Sequence, residues 1–367
     1  MAGRFRLGHA AGGDWHAVAA LCAEQLGPRP GNLGFIYASD HFAADCADIA
    51  DELRRLTGIA HWTGCTGIGI CATGIEYFDQ PALVALAGEF EPGSFRIFGA
   101  ESGRPAAAEL RCADGPASIA VVHGDAQQSD IARQIRQLAA LTETGFLVGG
   151  LASSRRPAMA YADAPAAGAL SGVAFSDVVT VATRLTQGCA PLGAPRQITG
   201  AQHNIVLELD DRPALDVLRE EAGIGDDAAL SRMGGRLFVG LSAGGGDPAD
   251  YVVRNLIGID PGNRLIAVGD LVGKGQQLRF FRRDRESARA DMGRMLDSIR
   301  EGLYTKPRGA LYFSCLGRGG ALFGGESEEL KMIEAALGDV PLAGFFGNGE
   351  ISRNLLYGYT GVLTLFL

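Results

Sequence analysis

Side chains able to do chemistry fall at a few points of the chain, each time beside glycine. Near the C-terminus, PLAGFFGNGEI (341–351) carries Asn348 and Glu350 among glycines, and FSCLGRGG (313–320) offers Cys315 and Arg318. An arginine flanked by glycines keeps its planar guanidinium fork unobstructed, which suits a carboxylate. A glutamate on a loop without bulk can accept from an amine, so the two in one pocket would suit a zwitterion. The alternative is that Arg318 and Glu350 pair with each other across adjacent strand ends. Two earlier stretches use the same device. WTGCTG (62–67) brings Cys65 and Thr66 after Ser39, Asp40 and His41, and FLVGGLASS (146–154) brings Gly149, Gly150, Ser153 and Ser154 after Asp125.

Most catalytic signatures are missing. GDLVGKG (269–275) has a lysine but neither the spacing nor the hydroxyl of a phosphate-binding loop, and there is no GxSxG, HExxH or helix-opening GxGxxG. Cys315 could act as a nucleophile, but a cysteine in an apolar strand is usually a small core residue, and no histidine lies near it in sequence to activate it. The histidines (9, 16, 41, 61, 123 and 203) are dispersed, so a metal centre is not expected. His61, beside Trp62, would be the best axial ligand for a haem, followed by His41 and His203.

These residues need elements to hold them. Asp14 caps a predicted helix over 14–26 that Gly27-Pro28 ends. LGFIYA (33–38) reads as a strand, followed by an amphipathic helix with Ala43, Ile49, Leu53 and Leu56 near helical spacing. A glycine-rich stretch and the strand PALVALAGEF follow. The order returns with SIAVVH (118–123), a helix, FLVGGLA and two more strands. It returns again with ALYFSC (310–315), a helix, the opening motif and a last strand, YTGVLTLFL. Tyr37 to Gly64 and Val122 to Gly149 are both 27 positions, and Phe313 to Gly344 is 31, the extra four falling at GRGG. The expected fold is α/β (α+β). One β-α-β-β unit is used three times, forming mixed sheets with helices on the outer faces, in two packed domains. The expected divisions are a helical segment (1–29), a domain with two units (30–222) and a domain with the third unit plus a hairpin (236–367). The Gly/Asp-rich stretch 222–236 separates the last two. Asp260-Pro261-Gly262-Asn263 suits the tight turn of that hairpin.

Composition narrows the classes. The chain has 367 residues, a net charge of −9 and 47% hydrophobic residues, as expected of a soluble globular protein that does not bind nucleic acid. Residues 274–308 depart from this, with ten Lys/Arg against five Asp/Glu. Half of that stretch reads as an amphipathic helix with a solvated face. No apolar run approaches the ~20 residues that span a bilayer, and the first residues lack the apolar core of a signal peptide. Seven scattered cysteines without CxxC spacing suit free thiols in a reducing cytoplasm.

With these motifs assembled, the chain resembles the FIST family (F-box and intracellular signal transduction domains) over nearly its whole length. LGFIYAS, WTGCTGIGI, FLVGGLAS and CAPLGAPRQITGAQHNIVLELDDRPALDVL (189–218) carry the N-terminal pattern. DYVVRNLIGIDPGNRLIAVGDLVGKGQQLRF, FSCLGRG and GFFGNGEI carry the C-terminal one. The resemblance implies a small-ligand-binding sensory module. Its motif positions here are Cys65, Thr66, Gly149, Gly150, Arg318, Gly344, Asn348 and Glu350, and it supplies no catalytic set. No F-box-like segment is seen, so a ubiquitin-ligase role is not carried over.

The expected function is therefore recognition of a small polar, amino-acid-like metabolite in a cleft lined by the glycine loops, near Cys65, Thr66, Gly149, Gly150, Ser153, Cys315, Arg318, Asn348 and Glu350. No cofactor is required. The signal would pass to a separate protein partner or through a homo-oligomer. A haem-based nitric-oxide sensor, to which some family members are linked, and a cysteine-dependent enzyme using Cys315 are the alternatives.

Overall fold

The computed structural model describes residues 5–99, 107–113, 115–166, 170–226, 230, 233, 235–242 and 251–367. The chain forms two compact units, one of Met1–Thr186 with Gly293–Leu367 and one of Gln187–Met292. The stretch 222–236, expected as a boundary, lies partly outside the described residues.

The first unit holds the repeats. The first repeat runs β1 (Arg6–Ala11), β2 (Leu33–Ser39), β3 (His61–Gly67), β4 (Gly69–Ala72), β5 (Ile75–Phe78) and β6 (Ala82–Gly88). The second runs β7 (Phe95–Gly99), the short β8 (Arg111–Cys112) and β9 (Gly115–Pro116), β10 (Ile119–Asp125), β11 (Phe146–Ala152), β12 (Ala160–Ala162), β13 (Pro165–Ala166) and β14 (Leu170–Phe175). The third opens with β15 (Val181–Thr186) and is then interrupted by the whole second unit.

That second unit contains β16 (Ala190–Gln202), β17 (Ile205–Leu209), β18 (Arg212–Pro213), β19 (Leu237–Ser242), β20 (Tyr251–Asp260), β21 (Leu265–Val268) and β22 (Gln277–Arg282). Their order is β16-β22-β19-β20-β21-β17-β18, and β16 also pairs with β17, so six antiparallel strands close into a barrel with no free edge. The helix Ala214–Ala222 buries Leu215, Val217 and Leu218 in a core with Val206, Val239 and Phe280. The expected turn joins β20 to β21, with Asp260 accepting from the backbone and side-chain amides of Asn263. Asp291 Oδ2 accepts from Gln187 N at 2.7 Å and Gly188 N at 2.9 Å, which fastens the start of this unit to its end.

The third repeat resumes with β23 (Gly309–Cys315), β24 (Leu342–Gly347), β25 (Glu350–Ser352), β26 (Leu355–Tyr357) and β27 (Gly361–Phe366). In each repeat two strands pair in parallel around a helix: β2 with β3 around Cys46–Thr57, β10 with β11 around Ile131–Ala139, and β23 with β24 around Glu328–Leu337. The strand that closes the repeat (β6, β14 or β27) lies antiparallel to the first of them, with β1, β7 or β15 beyond it.

The hairpins that follow the second parallel strand leave their own sheet. The β4–β5 hairpin of the first repeat pairs with β24 of the third, β25–β26 of the third with β11 of the second, and β12–β13 of the second with β3 of the first. The exchange is a closed three-way cycle, so no sheet is complete without a neighbouring repeat.

Gly64, Gly149 and Gly344, expected where strands run into glycine loops, lie inside buried strands at one shared register. They face Ile36, Val122 and Tyr312 across the parallel pairs. A Cβ there would stand 1.7, 1.8 and 1.7 Å from the carbonyl oxygen of that partner, closer than atoms can approach, so only glycine fits. Of the expected apolar helix positions, Ile49 and Leu53 are buried, Ala43 belongs to the preceding 3₁₀ turn, and Leu56 is exposed.

The residues following that register, Tyr37, His123 and Phe313, meet where the sheets pack together. Their ring centroids lie 5.6 to 6.3 Å apart, and Phe345 approaches all three. Tyr37 Oη lies 3.2 Å from His123 Nε2, and complete burial holds the imidazole down to about 3, so it is neutral at physiological pH. Among the described residues no helix is long and apolar enough to cross a membrane.

Candidate functional site

The ends of β3, β11 and β24 converge, as expected of ligand-binding α/β sheets, but they are closed by one another. Ser153 Oγ accepts from Ile68 N at 2.9 Å and donates to Phe346 O at 2.5 Å, tying the three repeats together. Leu151 N donates to Gly349 O, and Asn348 N to Leu151 O. Thr66 Oγ1 bonds the backbone of Met159, and Cys65 is fully buried with its thiol pushed well up by desolvation. Gly149 and Gly150 lie within β11. Asn348 is exposed at the tip.

Arg318 is 1% exposed, and its Nε donates to Glu329 Oε1 at 2.7 Å. The same carboxylate accepts from Tyr312 Oη at 2.5 Å, Ser314 Oγ at 3.1 Å and Gly319 N at 2.8 Å. The guanidinium lies over the Phe323 ring, 5.1 Å from its centroid. Glu350, also buried, accepts from the N–H and Oγ1 of Thr360 at 3.1 and 2.7 Å. The RGG loop is thus a carboxylate clamp, and the carboxylate on it belongs to the chain itself. Sequence reasoning missed Glu329 because Glu326, Glu328 and Glu329 sit together, with no signal for the one that turns inward.

A second carboxylate reaches this loop from another repeat. The swap of β4–β5 carries Glu76 to the third sheet, where its Oε1 accepts from Gly320 N at 2.9 Å and Ser327 N at 3.2 Å. Its backbone N–H donates to Ser327 Oγ, closing the contact in both directions. Glu76 Oε2 is shielded from water and, among the described residues, has no hydrogen-bond partner. Burial accordingly raises the carboxyl above its ordinary range, despite the backbone donors that oppose the shift. Glu76 lines a cleft of about 450 Å³ with Ile75, Phe78, Gln80, Ser327 and Lys331. Lys331 is exposed and rests its Nζ on Glu326 O. The cleft therefore combines an under-satisfied carboxylate, an exposed cation and an aromatic wall.

The haem candidates do not gather. His41 stands at the C-terminal end of β2, 3.6 Å from Asp40, while His61 opens β3 at the opposite end of that parallel pair. His203 belongs to the barrel unit. His61 Nδ1 lies 2.7 Å from Asp163 Oδ2, and the ring lines a cleft of about 550 Å³ with Phe95, Arg96 and Ile97. Cys315 ends β23, partly exposed and in no disulfide. Among the described residues no group of three or more His, Cys, Asp or Glu side chains could hold a metal ion.

Two family models match consecutive stretches, the FIST N domain over residues 32–212 and the FIST C domain over 214–353. The chain belongs to the FIST family. FIST domains are associated with signal transduction and are regarded as binders of small ligands. The FIST N match takes in β2 to β14 of the first two repeats, and the FIST C match takes in β24 and β25. The hairpin exchange therefore crosses the division between the two FIST domains twice, at β4–β24 and at β25–β11. Relatives include uncharacterized proteins of Mycobacterium bovis (36% identical over 191 residues) and Mycobacterium tuberculosis (35% identical over 191 residues). Each match covers 50% of both chains, so this chain spans about half the length of the curated relatives it matches.

Proposed function

We propose that this FIST protein is a sensory module for a small amino-acid-like metabolite, held in the cleft beside Glu76. The observation that carries the reading is Glu76, whose buried Oε2 has no hydrogen-bond donor among the described residues and whose side chain lines a cleft that also offers Lys331. An ammonium group that displaced the groups covering the oxygen would satisfy it, a ligand carboxylate would meet Lys331, and a short side chain would lie against Phe78. Arg318 supports the site from behind by fixing Glu329 and the RGG loop, whose Gly320 N–H joins that of Ser327 in holding Glu76. Occupancy would tighten β4–β5 against the loop 316–327, changing a surface that a separate signalling partner reads. The ligand must bind that state more tightly for the equilibrium to move.

A thermal-shift screen with amino acids and related zwitterions tests the reading. One compound should stabilise the wild type and lose that effect in Glu76→Gln and Lys331→Ala. A ligand equally effective on all three proteins would overturn it.

A second reading has an observation of its own. Asp163 holds His61 through Nδ1, the arrangement that leaves Nε2 for a metal or haem iron. Phe95 and Ile97 would flank the macrocycle, with Arg96 available for a propionate. A Soret band on adding haemin, lost in His61→Ala, supports it, and its absence ends it.

A further inference from the structure

The three repeats place three equivalent loops at the end of their first parallel strand, and two of them are closed by the chain's own ion pairs. In the first repeat, Asp40 is buried and receives the Nε, Nη2 and backbone N–H of Arg155, each at 2.9 Å. In the third, the loop after β23 is held by Arg318 and Glu329. The loop after β10 has no such closure. Asp125 occupies the register position of Ser39 and Cys315, and among the described residues no ion pair reaches it. Its Oδ1 accepts only the local Gln127 N–H, at 2.9 Å.

Here the structure opens a cavity of about 250 Å³, bounded by Gly124, Asp125, Gln128, Ala152, Met159 and Ala166. Its walls are small aliphatic side chains and a thioether, with one carboxylate and one amide, and among the described residues no cation lines it to neutralise the acid. It sits outside the carboxyl ends of the parallel strands β10 and β11, where open α/β sheets take ligands. We infer that this cavity is a second small-molecule site, taking a compact organic cation: a short aliphatic amine or quaternary ammonium whose charge lies on Asp125 and whose carbons pack on Met159 and the alanines. The site is independent of the Glu76 cleft, since the two share no lining residue.

The test is calorimetric titration of the full chain with n-butylamine and choline as probes, against n-butanol as the neutral isostere. Saturable binding of a cation is expected, with n-butanol at least tenfold weaker. Asp125→Asn keeps an acceptor for Gln127 N–H and should weaken the cation at least tenfold. Ala166→Phe, which fills the cavity, should abolish binding while Tm stays within a few degrees of the wild type. Glu76→Gln should leave the affinity unchanged. No saturable cation binding, or binding that Asp125→Asn does not alter, would overturn the inference. Loss of cation binding in Glu76→Gln would assign the probe to the other cleft and equally overturn it.

Discussion

Arg318 and Glu329 form a fully buried ion pair, 2.7 Å from Nε to Oε1, inside the loop that would otherwise offer its arginine to a ligand. The Glu329 carboxylate accepts four hydrogen bonds in the protein interior, one of them from the Arg318 cation. Removing one partner strands a buried charge, a loss of about 3–5 kcal/mol. Arg318→Ala and Glu329→Ala should each destabilise by that order in denaturant titration, with the double variant far from additive. Additive losses below about 1 kcal/mol would mean that the pair is not buried in solution.

The hairpin exchange predicts how the chain can be divided. β4–β5 completes the sheet of β23 and β24, and β25–β26 completes the sheet of β10 and β11. Residues 1–212 and 214–367 expressed separately should therefore each lack sheet partners and aggregate or stay unfolded. Expressed together, they should co-purify as one folded complex. Two stable, monomeric halves would contradict the exchange.

His123 sets an acid limit on stability. Its folded value, near 3, lies below the ordinary value of 6.5, so the unfolded chain takes up the proton first as pH falls. Stability from this group is therefore complete above about pH 6.5 and lost progressively toward pH 3, at about 1.4 kcal/mol per pH unit. His123→Phe, which has no proton to gain, should flatten that part of the profile. Identical slopes from pH 6.5 to 4 would contradict the burial.

The repeat was legible because its signals are local: apolar runs, helical spacing, and glycines recurring at similar intervals. The family was legible for the same reason. What stayed hidden were relationships between segments far apart in sequence. Nothing in IEYF shows that Glu76 will cross into the third repeat, because a hairpin reads the same whichever sheet receives it. The glycines of WTGCTG and LVGGLA read as the start of loops at strand ends since glycine marks turns more often than close approach of strands. Inside a parallel pair the same glycines make room for a carbonyl. Arg318 was visible as a clamp, but its carboxylate lay among several glutamates of one helix start. The inserted barrel was legible only as a change of character and a turn, because ring closure depends on β16 meeting both β17 and β22.

The cleft reading turns on the proton balance at Glu76. Its carboxyl is raised by burial, so the neutral form is favoured up to a higher pH than in the unfolded chain, and an ammonium ligand would pull the value back down. Calorimetric titration at about pH 5 with the zwitterion chosen by thermal shift, in two buffers of different ionisation enthalpy, measures that exchange directly. The wild type should release protons on binding, and Glu76→Gln should bind at least tenfold more weakly and release none. Equal affinity and equal proton release in the two proteins would contradict the assignment of the ligand to Glu76.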